Sequence, residues 1–489
     1  MKKIKNIFLV GLVSLGLSSC DWVDFDPLES YTITADVYFN TAADYEAAVV
    51  GAYDPLQWLN AQHLMMEIAS DNTVSGGESA TDVIAFQEVD MMTHYPENDQ
   101  LTNLWKFMYE GINRTNYLAE NKDKIEFDGK EELFGEVYFL RAYYYFDLVR
   151  LFGGVPLFTE ARLTASDSGT LQRATTAEVY AQIEADLQAA IAVLPSVSGN
   201  NQNGRANRVA AQALLGKVYL YQDKFSDAAS MLENVIGTRV LLDDYASQFL
   251  REGENGLESI FEVQHSDQSV WWDWGYNPQG TEGNFGIIHM GPRAYSGPLF
   301  ASGWSFNLPV QELYDSYEDG DQRRDATILN METWKADNNA DYTPAYKDTG
   351  FFNLKYIPRA GYSETGQTEL NYLNNWRIIR YSDVLLMAAE AYNRGAIDDS
   401  KAQLYLNMVR QRAFQDTDHD VSLTGSALTE AIWNERNFEL ALEGHRFFDL
   451  VRTGKAAEKI DGFTTGKNEL FPIPQQEVDI SNLEQNPGY

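Results

Sequence analysis

Arg208-Val-Ala-Ala-Gln-Ala-Leu-Leu-Gly-Lys-Val-Tyr-Leu-Tyr-Gln-Asp-Lys-Phe-Ser-Asp-Ala-Ala-Ser-Met-Leu-Glu-Asn-Val-Ile236 is the stretch that decides the architecture. It carries Leu215-Gly216-x-x-Tyr219 and then Phe225-x-x-Ala228, two apolar helical stripes separated by a turn at Asp223-Lys224. Gly216 and Ala228 are small where the two helices would cross, and Tyr219 and Phe225 are large enough to fill the space beside the turn. Two helices of this kind cannot bury their apolar faces alone, so neighbouring pairs are required.

The order and spacing resemble a tetratricopeptide helix pair. A related pair lies further on, with Ala389 and Tyr392 in its first helix and Ala402, Leu406 and Val409 in its second. No strict period of about 34 residues runs through the chain, so a decorated helical-repeat scaffold is expected rather than a plain solenoid. Stripe spacing predicts further helices over 44–56, 101–125, 131–152, 176–194, 377–414 and 427–442. The 131–152 helix is the most apolar and stops at Gly153-Gly154 with Pro156 just beyond. Between the two pairs, residues 262–375 are rich in Gly, Pro, Asn, Asp and aromatics and poor in helical stripes. The expected fold is mostly α, with the scaffold over about 40–260 and 377–450 and a large irregular, loop-rich, ligand-binding half over about 262–375.

The chain has 489 residues, with 37 Lys+Arg against 72 Asp+Glu and a formal charge of −35. Nucleic-acid binding needs a basic footprint that releases counterions, and anionic membrane surfaces need a polybasic patch; both are excluded. A content of 44% hydrophobic and 13% aromatic residues argues against disorder. The N-terminus runs from Lys2, Lys3 and Lys5 through an apolar segment at 7–17 to Leu17-Ser18-Ser19-Cys20. That is a secretory signal, shorter than the roughly 20 residues that span a bilayer. Its small-residue end resembles a bacterial lipobox, which implies lipidation of Cys20, the chain's one cysteine, after removal of residues 1–19.

Signatures of catalysis are missing. The six histidines are scattered without His-Glu-x-x-His spacing, and there is no Gly-x-Ser-x-Gly elbow or phosphate-cradling glycine loop. Asp416-x-Asp418-x-Asp420 resembles the first half of an EF-hand loop, but Val421 stands where the glycine is needed, so an acidic interhelical loop is expected and no metal. Glu435, Glu439 and Glu443 lie four apart, with Arg436, Arg446 and Arg452 nearby, and predict an ion-paired helix face rather than a catalytic cluster.

Ordered motifs extend over nearly the whole chain after Cys20. They include Leu104-Trp105…Tyr109…Ile112…Asn116, Glu136-Val-Tyr-Phe-Leu-Arg-Ala142, Phe152-Gly-Gly-Val-Pro-Leu157 and Arg380-Tyr-Ser-Asp-Val-Leu-Leu-Met-Ala-Ala-Glu-Ala391. Glu443-Gly-His-Arg446…Asp449, Phe471-Pro-Ile-Pro474 and Asn486-Pro-Gly-Tyr489 complete the series. Together they resemble the SusD/RagB-like nutrient-binding outer-membrane lipoproteins of Bacteroidetes. The resemblance implies one SusD-like domain over 20–489, without cofactor or catalysis. It also implies a surface position, a TonB-dependent outer-membrane transporter (SusC-like) as partner, and a nutrient, usually an oligosaccharide, captured as the protein acts as a lid over the barrel.

Val270-Trp271-Trp272-Asp273-Trp274-Gly275-Tyr276 is the leading ligand-binding candidate. If extended, Trp272, Trp274 and Tyr276 project from one face about 6.6 Å apart, near the size of a pyranose ring. Trp271 flanks them, and the surrounding glycines and asparagines suit a recognition loop; an aromatic cluster pinning that loop to the core is the competing reading. Asp71 and Asn72, in a polar loop, and Tyr295, Trp304 and Arg359, in the irregular half, are secondary candidates. The acidic balance favours a neutral oligo- or polysaccharide. A peptide ligand or a helical-repeat adaptor is the alternative, and a surface glycan hydrolase comes third.

Overall fold

The computed structural model describes residues 38–164, 166–197, 204–267, 282–363 and 369–489. The fold is mostly α, with short strands confined to small two-stranded ribbons among the described residues. The principal helices are α1 (Ala42–Trp58), α2 (Asn60–Ile68), α3 (Asp99–Glu120), α4 (Lys130–Phe152), α5 (Thr176–Val193), α6 (Arg208–Tyr221) and α7 (Phe225–Glu233). After the irregular half come α8 (Tyr381–Arg394), α9 (Asp399–Phe414), α10 (Gly425–Leu440) and α11 (Arg446–Arg452).

Local sequence sets the helix ends. Thr41 and Asp44 form a reciprocal capping box on α1, and Thr175 and Glu178 form another on α5. Helix α4 stops at Gly153, whose φ of 74° suits glycine and few other residues. Successive helices pack as neighbours from α3 through α4, α5, α6 and α7, and α7 then packs on α8. The repeat stack is therefore interrupted in sequence between α7 and α8 but continuous in space. At the α6–α7 crossing, a Cβ on Gly216 would meet Leu232 at 2.5 Å, so glycine is what lets the pair close.

The base of the irregular half is an antiparallel ribbon of β2 (Ser259–Val263) and β3 (Trp376–Arg380), with Val263 opposite Trp376. The helix expected to start at Arg377 is thus corrected: residues 376–380 form a strand, and α8 begins at Tyr381. Branched Ile378 and Ile379 suit the strand, and a partner more than a hundred residues away supplies the pairing. The irregular half has a core of its own around Tyr295, Phe300, Leu329, Met331, Tyr342 and Phe352, separate from the main one.

The Glu435/Glu439/Glu443 face is ion-paired, but with other partners than the nearby arginines. Glu435 meets Arg323 at 2.6 Å and Arg410 at 2.7 Å; Glu439 meets Arg412 at 2.6 Å and Arg380 at 3.0 Å; Glu443 meets Arg380 and Lys355, each at 2.7 Å. Arg436 turns instead to Asp383 and Asp449, Arg446 to Asp71, and Arg452 to Glu390 and Asp449. Arg323 and Lys355 come from the irregular half, so the network pins that half onto the repeat stack. Removing one member would strand a buried charge, which typically costs about 3–5 kcal/mol.

Candidate functional site

Trp271, Trp272, Trp274 and Tyr276 lie outside the described residues, as does Cys20. The two flanks of the aromatic segment are held together. Ser266 N donates to Glu282 O at 2.9 Å, and Asn371 Nδ2 donates to Asp267 O at 2.7 Å. Asn284 N donates to Tyr372 O at 2.7 Å, and Asn284 Nδ2 to Asn374 O at 2.7 Å. From the scaffold side, Gln57 Nε2 on α1 donates to Gln264 O at 2.8 Å. A Cβ on Gly283 would come within 2.5 Å of the Asn371 backbone, so this close approach requires glycine. The segment's ends are thus fixed on rigid elements, as a recognition site needs.

Trp304 stands near one of those flanks. Its ring is edge-to-face with half-buried Phe285 at 5.7 Å and with buried His289 at 5.1 Å. His289 packs in turn on Phe86 and Phe306, and burial pushes its imidazole down to about 4, so it stays neutral. The result is a half-buried aromatic shelf, Trp304 and Phe285, on a rigid aromatic base.

The other candidates sit elsewhere. Asp71 accepts both arms of the Arg446 guanidinium, at 2.7 and 2.8 Å. Asn72 is buried, donates from Nδ2 to Asn437 Oδ1 at 3.0 Å, and accepts from Val310 N. The next two residues, β1 (Thr73–Val74), pair with Leu308–Pro309 just after Trp304, so Asn72 and Trp304 lie at the ends of one ribbon. Tyr295 is buried in the second core, donating to Pro298 O at 2.8 Å and accepting from Trp334 Nε1 at 2.9 Å. Arg359 lies over the Phe300 ring of the same core at 5.4 Å.

Sequence reasoning missed the loop after β1. Gly77 N donates to Ser305 O at 2.9 Å, which lays this loop beside Trp304, and a Cβ on Gly76 would fall 2.1 Å from the same oxygen. Glu78, Ser79, Ala80 and Thr81 are exposed there, and Asp82 accepts from Glu78 N at 2.8 Å. The Gly76-Gly77 pair was the available signal: adjacent glycines mark close backbone approach as well as turns. In the 416–420 loop, Asp416 pairs with His419 at 2.9 Å and Asp420 accepts from Gln411, and no metal-holding group of acids, histidines or cysteines is found among the described residues.

The helical-repeat scaffold thus holds the two flanks of the aromatic segment together, with the half-buried Trp304 and Phe285 near one of them. The family described as starch-binding associating with outer membrane matches residues 24–220, and the SusD family matches residues 257–489. SusD-like protein P2 of Formosa agariphila is 28% identical over 100% of both chains. A laminarin binding SusD-like protein of known structure is 39% identical, covering 91% of this chain and 99% of its own, with a TM-score of 0.84. Surface glycan-binding protein A from Bacteroides thetaiotaomicron, solved in complex with laminarihexaose, is 30% identical with 91% and 99% coverage and a TM-score of 0.80. The chain belongs to the SusD family. It is accordingly a non-catalytic, nutrient-binding protein of the outer-membrane glycan-uptake type, a family that typically pairs with SusC proteins. No helix among the described residues is long and apolar enough to cross a membrane.

Proposed function

We propose that this chain is a surface lipoprotein, anchored through Cys20, that captures a neutral laminarin-type glucan and acts as a lid delivering it to a TonB-dependent transporter. The observation that carries the ligand class is the likeness to two structures named for laminarin or laminarihexaose, at 39% and 30% identity over 91% of the chain. The formal charge of −35 agrees with a neutral ligand, since an acidic globule repels anionic polysaccharides. Trp271, Trp272, Trp274 and Tyr276 are the proposed sugar platform, extended by the Trp304–Phe285 shelf, whose ring faces suit the C–H faces of pyranoses. In this reading residues 1–19 are removed and residues 20–489 form one domain.

Calorimetry on residues 22–489 with laminarihexaose, maltohexaose and a mixed peptide pool tests the proposal. Binding of laminarihexaose without product formation is expected. Preference for peptide, or release of shorter sugars, would reject it. A Trp271/Trp272/Trp274→Ala variant with unchanged Tm is expected to bind at least about ten-fold more weakly. Equal affinity would move the site elsewhere. Cys20→Ala is expected to shift the protein out of the membrane fraction, and full retention there would reject the lipid anchor.

A further inference from the structure

One face of α1, carrying Val50, Gly51, Asp54 and Gln57, looks onto a groove of about 480 Å³. That volume lies within the range of about 300–1,000 Å³ typical of small-molecule sites. The opposite wall is β2 and its continuation, Phe261 to Gln264, together with Glu282. Gln264 and Glu282 belong to the two flanks of the aromatic segment, so the groove begins where that segment leaves the scaffold.

Gly51 is the unusual residue. Glycine is the least favourable residue in a helix interior apart from proline. Elsewhere in the bundle its use is explained by packing: a Cβ on Gly111 would lie 2.3 Å from the Tyr144 ring, and one on Gly216 would lie 2.5 Å from Leu232. A Cβ on Gly51 would meet nothing within 4 Å, and its φ is not in the left-handed region. Neither packing nor backbone geometry calls for glycine there; what it does is keep the groove wall clear of a side chain.

The lining is mixed in the way a sugar needs. Val50, 55% exposed, offers apolar contact. The carboxylates of Asp54 and Glu282 and the amide of Gln57 can engage hydroxyl groups beside the bonds they already make, Asp54 with Arg114 at 2.7 Å and Gln57 with Gln264 O at 2.8 Å. An apolar helix or lipid chain would find too many polar groups here, and the carboxylates disfavour an anionic ligand, since Arg205 in the same lining is already paired with Glu46 and Glu136. We infer that this groove along α1 is a second glycan subsite, which takes further neutral hexose units of the chain held at the aromatic segment. The inference rests on the proposed glycan function and adds a location and a length preference to it.

Gly51→Leu and Val50→Arg each place a bulky side chain into the groove, the first from a half-buried position with open space beside it and the second from an exposed one, and laminarihexaose binding is measured beside Tm. The expected result is a Tm no lower than wild type for Gly51→Leu, with hexaose binding about ten-fold or more weaker in both variants. Should either variant fold poorly, the other carries the test, because Val50 is already solvent-exposed. Both variants binding within about two-fold of wild type would overturn the subsite. If they do so while the Trp271/Trp272/Trp274→Ala variant loses binding, the glycan function stands and only the groove falls. Wild type that binds no laminarihexaose would overturn both.

Discussion

At the scale of single residues, Glu67 on α2 is the most exposed to a change of pH. Its Oε1 accepts from Gly444 N at 2.5 Å, while Oε2 is buried without a hydrogen-bond partner among the described residues. Burial pushes the carboxyl up to about 7, with Glu443 adding to the rise and Lys355 opposing it. A carboxyl whose folded pKa lies above its unfolded value binds a proton in the native state that the unfolded chain has released. It therefore destabilises the fold increasingly as pH rises from about 4.5 through 7, by up to about 3 kcal/mol once fully ionised. Glu67→Gln keeps an acceptor for Gly444 and removes the charge. Its Tm gain over wild type should be larger at pH 8 than at pH 5, and an equal gain at both would reject the assignment. Little of this was legible in sequence. The Glu435, Glu439 and Glu443 spacing showed that ion pairs would form, yet the partners Arg323, Lys355 and Arg380 come from 59 to 116 residues away. Charge pairing across such distances follows from tertiary packing, which i, i+4 spacing does not encode.

Among helices, glycine separates two kinds of contact, and one substitution made twice distinguishes them. Gly111 on α3 lies against the Tyr144 ring of α4, and a Cβ there would stand 2.3 Å from it. Gly111→Ala should lower stability by about 1–3 kcal/mol, the range for overpacking a filled core. Gly51→Ala meets open space and should raise stability by about 0.5–1 kcal/mol through helix propensity. Urea midpoints of the two variants check the opposite signs; two changes of the same sign would contradict the packing described for α3 and α4. Helix pairs of this kind were readable in sequence because their contacts are local: Gly216, Tyr219, Phe225 and Ala228 fall within one hairpin. The strand at Trp376–Arg380 was not, because β2 defines it from across the irregular half. The aromatic segment at 271–276 is a candidate by composition alone and lies outside the described residues, whereas the loop beside Trp304, signalled in sequence by Gly76-Gly77, is placed by the Gly77–Ser305 bond.

For the whole molecule, buried histidines set the acid side of stability. Burial pushes the imidazoles of His63, His94, His265, His289 and His445 down to about 4, 4, 3, 4 and 3. Each is neutral in the fold at pH 5.5, whereas in the unfolded chain each would be mostly protonated near a pKa of 6.5. The unfolded state thus binds more protons, and stability falls as pH drops through 6.5 toward the folded values. Glu67 acts the other way, since at pH 5.5 it is protonated in the fold and mostly ionised without it. Five histidines against Glu67 leave a net uptake of roughly three to four protons on unfolding at pH 5.5. Below about pH 4 the buried ion pairs add to the loss, because Lys217 and Arg436 hold Asp383, and arginines hold Glu439 and Asp449, well below the usual carboxylate range and protonation would break them. Proton uptake during unfolding in weakly buffered urea, with Tm compared at pH 7.5 and 5.5, measures the effect directly. Uptake of about three to four protons and a lower Tm at pH 5.5 are expected. A flat Tm without uptake would mean that these imidazoles are charged or solvated in the fold, and the neutral His289 beneath the Trp304 shelf would lose its basis as well.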